Sequence, residues 1–125
     1  MVSKIIDGHA HIINLSIVNS LIDNISKREK ERLRHEFTEK TPIEHKKAWL
    51  KEMDRLNIEK TIFMGNVSMH PDFHEFINSS DRFVGFAPVN PEEPTALEKL
   101  MDEIKSGMSG VKLYPSQLGF DVGSS

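Results

Sequence analysis

The feature that most constrains the fold of this chain is the alternation of short apolar runs with longer amphipathic stretches. Strands that alternate with helices are joined by right-handed crossovers into a parallel sheet. The predicted strands are Lys4–Ile13, which starts as a strand with Ile5 and Ile6 apolar and breaks at Gly8, then Thr61–Met64, Phe83–Val89 and Gly110–Tyr114. The predicted helices are Ser16–Ile25, the stretch from Thr41 to Asn57, His70–Ile77 and Thr95–Lys105. No low-complexity linker interrupts the pattern, so we expect residues 1–125 to form a single α/β unit.

Composition excludes several classes of function. The chain has 125 residues, with 16 lysines and arginines against 19 aspartates and glutamates, and a formal net charge of −3. This mild acidity gives no electrostatic basis for binding nucleic acid or an anionic membrane. The absence of cysteine excludes disulfides, thiolate catalysis and cysteine-ligated metal centres. No apolar run is long enough for a signal peptide or a membrane span, so we expect a soluble cytoplasmic protein.

Two of the predicted helices carry boundary signals. Thr41, Pro42 and Glu44 have the pattern of a capping box, with the proline at the first helical position. Gly107 is placed to end the last helix. The apolar residues of the last helix recur at helical spacing and are expected to face inward. They are Leu97, Leu100, Met101 and Ile104.

A pair of histidines, His9 and His11, carries the strongest chemical signal. Residues i and i+2 of a strand point to the same side, so the two imidazoles can converge on one divalent metal ion. The pair lies at the carboxyl end of the first strand, where ligands collect in parallel α/β folds. Asp7 could accept a hydrogen bond behind one of the rings. Taken alone, such a pair is more often structural or incidental, but the strand onset, the preceding Asp7-Gly8 and the βαβ pattern that follows favour a metal site.

The other histidines have weaker claims. His70 and His74 stand four residues apart, a spacing that can chelate a metal on one helical face, but the glutamate of the HExxH pattern is absent. A surface helix is therefore the favoured interpretation. Lys27–Lys40 mixes charges of both signs and is expected to be a solvated helix. His35 and His45 are expected to be solvated as well.

Several segments together resemble one family. The N-terminal IIDGHAHI is similar to the first strand of the amidohydrolase superfamily. The rest resembles its second amidohydrolase branch, which includes proteins like aminocarboxymuconate-semialdehyde decarboxylase and resorcylate decarboxylase. The supporting segments are WLKEMDRLNIEKTIFM (49–64), DRFVGFAPVNP (81–91) and GVKLYP (110–115).

The resemblance implies the N-terminal half of a (β/α)8 TIM barrel, with about four strands. It implies that His9 and His11 ligate a divalent metal ion, with zinc preferred over manganese. That ion would support hydrolysis or non-oxidative decarboxylation of a small organic substrate. Family members complete the site with a histidine after the fifth strand and an aspartate after the eighth, and this chain stops after the fourth. Lys112 is expected to contact the pocket or the substrate, with a carboxylated bridging lysine as the alternative.

Three readings remain open at this stage. The first is part of a metal-dependent hydrolase or decarboxylase that is inactive as an isolated chain. The second is a non-catalytic remnant or binding module that keeps the fold, and the third is an unrelated α/β binding protein. A closed barrel needs roughly 200 to 250 residues. An open half leaves strand edges and apolar faces exposed, so we expect homo-oligomers.

Overall fold

The structure is a computed structural model, and it describes residues 4–12, 27–36, 41–65, 72–115 and 119. Strands and helices alternate along these ranges. The strands are β1 (Ile5–Ala10), β2 (Ile58–Met64), β3 (Phe83–Pro88) and β4 (Gly110–Lys112). The helices are α1 (Lys27–Glu36), α2 (Pro42–Leu56), α3 (Asp72–Asn78) and α4 (Ala96–Lys105). The predicted helix at Ser16–Ile25 lies outside the described residues.

The four strands form one sheet in the order β1-β2-β3-β4, and every neighbouring pair is parallel. The sheet curls, with helices between the strands, into an α/β fold like the first half of a TIM barrel. This confirms the predicted fold class. Because all strands run the same way, their carboxyl ends meet at one edge, which places the ends of β1 and β4 at the same rim.

The capping signal predicted for the second helix is confirmed. The hydroxyl of Thr41 accepts a hydrogen bond from the backbone N–H of Glu44, and the Glu44 carboxylate accepts one from the N–H of Thr41. The helix ends at Asn57, whose φ of 58° is left-handed. A left-handed residue at this position stops the helix and turns the chain directly into β2.

The core lies between the sheet and the helices and is built on aromatic rings. Phe63 of β2 is completely buried and meets three other rings edge-on, at centroid distances of 4.8 Å from Trp49, 4.9 Å from Phe76 and 5.4 Å from Phe83. Edge-to-face packing at these distances is favourable because a positive ring edge meets a negative ring face. These contacts anchor α2 and α3 on the outer face of the sheet.

The end of α4 is a Schellman turn around Gly107. Gly107 has a φ of 101°, its N–H donates to the carbonyl of Ile104, and the N–H of Met108 donates to that of Glu103. Met108, which is buried, then packs so close to β3 that a side chain at Gly85 would collide with its sulfur. The predicted role of Gly107 is confirmed, and the turn delivers the chain into β4.

Arg82 lies at the opposite rim of the sheet, at the amino ends of the strands, where β2 and β3 begin. Its guanidinium donates to the carbonyls of Ile58 and Glu59, at 2.7 and 3.2 Å, and to the carboxylate of Asp54, at 2.7 Å. A planar guanidinium has enough fixed donors to satisfy all three acceptors at once. We call this set of contacts the Arg82 clamp.

Some expectations need correction. β1 continues past Gly8 to Ala10, but its pairing with β2 is irregular between Asp7 and Ala10, the stretch that contains Gly8. β4 ends at Lys112, two residues earlier than expected. His45 was expected to be solvated but is buried. It packs edge-on against Phe76, at 5.9 Å between ring centroids, because it lies on the side of α2 that faces the core.

The apolar face of α4 was expected to face inward, but it is exposed. Leu97, Met101 and Ile104 are 69%, 52% and 56% exposed, and no residue of the helix is buried. Their spacing does form one stripe, but nothing among the described residues covers it. The charged helix α1 is confirmed as solvent-facing at the side chains described. No helix in the described ranges is long and apolar enough to cross a membrane.

Candidate metal and substrate site

His9 and His11 come together at the carboxyl end of β1. His9 lies in the strand and His11 directly follows it, and their ring centroids are 5.1 Å apart. Their Nε2 atoms are 3.2 Å apart. Alternation along an extended backbone puts both rings on one side, as expected from the sequence. The two rings therefore present a pair of nitrogens to one point in space.

The tautomer of His11 is set by the neighbouring strand. Its Nδ1 lies 3.2 Å from the carbonyl oxygen of Met64, at the end of β2. A carbonyl can only accept, so Nδ1 carries the proton and Nε2 exposes its lone pair towards His9. Metal-binding histidines are commonly oriented by such a hydrogen bond from the other ring nitrogen.

The electrostatics of the site favour a neutral His11. Burial lowers the pKa of His11, and electrostatic repulsion from the neighbouring His9 ring lowers it further. The hydrogen bond to the Met64 carbonyl raises the pKa of His11, and the nearby charge of Lys112 lowers it. A neutral imidazole is the form that ligates a metal ion, so these surroundings keep the ring ready to bind one.

Asp7 stabilises the backbone at the site. Its Oδ1 accepts a hydrogen bond of 3.1 Å from the backbone N–H of His9. The carboxylate therefore restrains the position of His9 through the main chain and does not hold an imidazole N–H. Asp7 also pairs with Thr61 across β1 and β2, so it connects the histidine segment to the interior of the sheet.

Lys112 and Tyr114 reach the same rim from β4. The Lys112 ammonium lies 5.5 Å from the centroid of the Tyr114 ring. The Tyr114 hydroxyl donates to the carbonyl of Gly65, at 2.6 Å, which joins the ends of β2 and β4. Burial raises the pKa of Tyr114, so the phenol keeps its proton and can act as this donor. Among the described residues, no carboxylate lies within ion-pair distance of Lys112.

Tyr114 has a role at the rim that the sequence did not indicate. A single tyrosine two residues beyond a predicted strand lysine carries no recognised pattern. The sequence did offer one signal for this role, the spacing of two residues between Lys112 and Tyr114. Residues i and i+2 lie on the same side of an extended chain, so Tyr114 is expected beside Lys112.

The donor set fits a divalent metal ion. Zinc binds histidine nitrogens at about 2.0 to 2.1 Å. Two nitrogens 3.2 Å apart would then subtend an angle of about 100° at the ion, close to tetrahedral. In the part of the chain that the structure describes, no third histidine or carboxylate completes a cluster with them. These residues therefore offer two ligands and leave the remaining positions open.

Of the second histidine pair, for which the surface helix was the favoured interpretation, the structure describes His74. His74 Nε2 lies 2.6 Å from Glu103 Oε2, so the ring joins α3 to α4. His70 lies outside the described residues. His74 is therefore a packing contact between helices, away from the rim that carries His9 and His11.

Comparison with known proteins gives one informative similarity. No family model and no curated protein matches the sequence. The fold is similar to the crystal structure of a probable 2-pyrone-4,6-dicarboxylic acid hydrolase from Acinetobacter baumannii with citric acid bound, with a TM-score of 0.60 and 17% sequence identity. The match covers 98% of this chain and 41% of that protein, so the chain spans less than half the length of the enzyme that it resembles.

Proposed function

We propose that His9 and His11 ligate one divalent metal ion, zinc in preference to manganese, and that the chain is part of an amidohydrolase-type hydrolase. The observation that carries the proposal is the Nε2–Nε2 distance of 3.2 Å, with the His11 tautomer held by Met64. An ion at this position would polarise a substrate or activate a water molecule. The fold similarity to a hydrolase supports this reaction class over decarboxylation.

Lys112 extends the proposal to the substrate. It is a half-buried cation with no carboxylate partner among the described residues, and it is close enough to His11 to influence its pKa. An unpaired ammonium beside a metal site favours an anionic ligand. The named substrate of the structural neighbour is a dicarboxylate, and the citric acid bound to it also carries carboxylates. We therefore infer a small carboxylate-bearing substrate, with Lys112 as its counter-charge.

The isolated chain is expected to bind metal and carboxylate without turnover. Two protein ligands hold an ion weakly, and hydrolysis needs further groups that position the water and the leaving group. A non-catalytic binding module with the same fold would have the same two ligands. The decisive measurement is therefore whether His9 and His11 bind a metal ion.

The test is a cobalt titration of metal-free protein, followed by ligand-field absorbance and calorimetry. His9→Ala and His11→Ala are expected to weaken binding by at least about tenfold, since even groups that only orient a ligand contribute about 10- to 100-fold. The matched control is His74→Gln, which removes a histidine paired with Glu103 and should leave the affinity unchanged. Equal affinities in all four proteins would refute the metal site.

A second titration tests Lys112. Citrate should bind the cobalt-loaded protein, and Lys112→Met should weaken that binding without weakening the binding of cobalt, since it removes a positive charge near the metal site. Lys99→Met is the control, since Lys99 is an exposed lysine on α4 that pairs with Glu93. Citrate binding that is the same in Lys112→Met and the parent protein would overturn the assigned role.

A further inference from the structure

Two adjacent carbonyls at the end of β2 hold one side chain each. The carbonyl of Met64 lies 3.2 Å from Nδ1 of His11. The next carbonyl, that of Gly65, accepts a hydrogen bond of 2.6 Å from the Tyr114 hydroxyl. The N–H of Gly65 is bonded as well, to the carbonyl of Phe86 in β3 at 2.8 Å. Since successive peptide groups of a strand in a parallel sheet bond to opposite neighbours, the end of β2 is a fixed point between the histidines and β4.

The ring of Tyr114 is held at both ends. Its backbone follows β4, two residues after Lys112, and its hydroxyl is bound to Gly65, which is buried. The direction of a tyrosine ring is set by two side-chain torsions, so a bond at the far end of the ring fixes both of them. The ring is half-buried. Tyr114 therefore presents an aromatic face of fixed orientation at the rim that carries the histidines.

Lys112 has a fixed backbone and a flexible side chain. Its carbonyl accepts a hydrogen bond of 3.2 Å from the N–H of Val89, which holds it to the end of β3. Its four-carbon stem rotates freely, and the contact that the structure gives the ammonium is with the Tyr114 ring, whose centroid lies 5.5 Å from Nζ. This distance is within the roughly 6 Å over which the face of an aromatic ring attracts a cation. The ring is therefore what limits the positions of the ammonium.

A ring face holds an ammonium in a different way from a carboxylate. A carboxylate compensates the charge of the ammonium and accepts hydrogen bonds from its N–H groups. An aromatic face attracts the cation through the ring quadrupole and carries no net charge. The charge of Lys112 is thus held in place by Tyr114 without being compensated by it. A cation held in this way remains available to a negatively charged ligand.

We propose that Tyr114 is a positioning residue for Lys112, and that its ring, tied to Gly65, directs the ammonium to the carboxylate of a bound substrate. The identity of this ligand rests on the proposed function. Because His11 and Tyr114 are held by adjacent carbonyls, the end of β2 also sets the spacing between the metal ion and the counter-charge. The site is therefore matched to a ligand that carries a carboxylate at a set distance from the group bound at the metal.

The first test is calorimetric titration of the cobalt-loaded protein with succinate, a dicarboxylate that chelates free cobalt weakly. Tyr114→Leu removes the ring and should weaken succinate binding about two- to fivefold, the range for a cation–π contact at an exposed site. Tyr114→Phe keeps the ring and loses the bond to Gly65, so its affinity should fall between those of the parent and Tyr114→Leu. Parental affinity in Tyr114→Leu would overturn the proposal, and parental affinity in Tyr114→Phe would overturn the role of Gly65.

The second test determines whether Tyr114 acts through Lys112. The double variant Lys112→Met/Tyr114→Leu should bind succinate no more weakly than Lys112→Met alone, because the ring then has no ammonium to position. Independent contributions would multiply, as they do for residues that do not interact. The fluorescence of Trp49, the single tryptophan, checks that each variant is folded. A folded double variant that binds about two- to fivefold more weakly than Lys112→Met would show that Tyr114 acts independently, and would overturn the positioning role.

A third measurement, by NMR spectroscopy of the metal-free protein, separates the positioning of Lys112 from metal binding. The methylene protons next to the Lys112 ammonium should be shifted upfield by the ring current of Tyr114, and should return to the ordinary lysine position in Tyr114→Leu. The resonance is assigned by its loss in Lys112→Met, whereas Lys99→Met, which removes a lysine paired with Glu93, should retain it. An unshifted resonance in the parent would overturn the proposal. A shifted resonance in a protein that binds neither cobalt nor succinate would refute the proposed function and leave Tyr114 as the residue that holds Lys112.

Discussion

Replacing Thr61 by valine should stabilise the protein. Thr61 is completely buried in β2, and its Oγ1 has no hydrogen-bond partner among the described residues. The backbone of Thr61 is satisfied, because its N–H donates to the carbonyl of Arg82 at 3.0 Å. The side chain alternates onto the same face as Phe63, which packs against the helices. The hydroxyl therefore lies unpaired in an apolar layer.

The expected magnitude follows from that environment. A buried hydroxyl without a partner costs about 1 to 3 kcal/mol, and an apolar group of the same shape removes the cost. We expect Thr61→Val to raise the free energy of unfolding by about 1 kcal/mol, the lower end, because a hydroxyl rotor can adjust. An unfolding entropy of about 2.1 cal/mol/K per residue over 125 residues converts this to about 4 °C in Tm.

The assay is urea denaturation followed by the fluorescence of Trp49, which contacts Phe63 and reports on the same layer. Thr61→Ser is the matched control. It keeps the hydroxyl and loses a buried methyl group, so it should destabilise the protein by about 1 kcal/mol. A Thr61→Val protein no more stable than the parent would mean that the hydroxyl is already satisfied, and the reasoning would be refuted.

Three further perturbations test other parts of the fold. Phe63→Ala should cost about 3 to 5 kcal/mol by urea denaturation, because it removes the ring at the centre of the aromatic core, and a cost below 1 kcal/mol would contradict that position. Tyr114, the single tyrosine, should titrate above its ordinary pKa in an ultraviolet absorbance titration of the phenolate, and a normal or lowered pKa would disprove its burial. The unfolded chain loses that proton first, so the free energy of unfolding of the parent protein relative to that of Tyr114→Phe should be constant below about pH 10 and fall above it. Gly107→Ala should lower the free energy of unfolding in urea by about 1 kcal/mol or more, because a left-handed φ and a collision with the Asn78 side chain both oppose a methyl group. An unchanged urea midpoint would rule out this turn geometry.

Local signals predicted the parts of the fold that depend on a few neighbouring residues. The capping box at Thr41 and the turn at Gly107 each need only four or five residues, and both are found where expected. The same is true of His9 and His11, whose shared side follows from strand alternation alone. Signals of this kind do not depend on what the rest of the chain does.

The sequence was less informative where a side chain's surroundings come from elsewhere. The apolar spacing of α4 predicts a stripe correctly, but burial of that stripe needs a second surface, which the described residues do not provide. His45 shows the reverse case, since charged neighbours in sequence suggested solvent while the helix turns it towards Phe76. The contact of Tyr114 with Gly65 joins residues 49 positions apart and has no local signature.

The Arg82 clamp stabilises the sheet at one end of its strands, and the histidine pair lies at the other end. It holds α2, β2 and β3 together at the rim opposite the histidines, through two carbonyls and one carboxylate. Mutational drift at the histidine rim therefore leaves the contacts of the clamp in place. A library randomised after β2 and β4 should retain folded members while it changes ligand preference, which makes the half-barrel a suitable starting scaffold for selection.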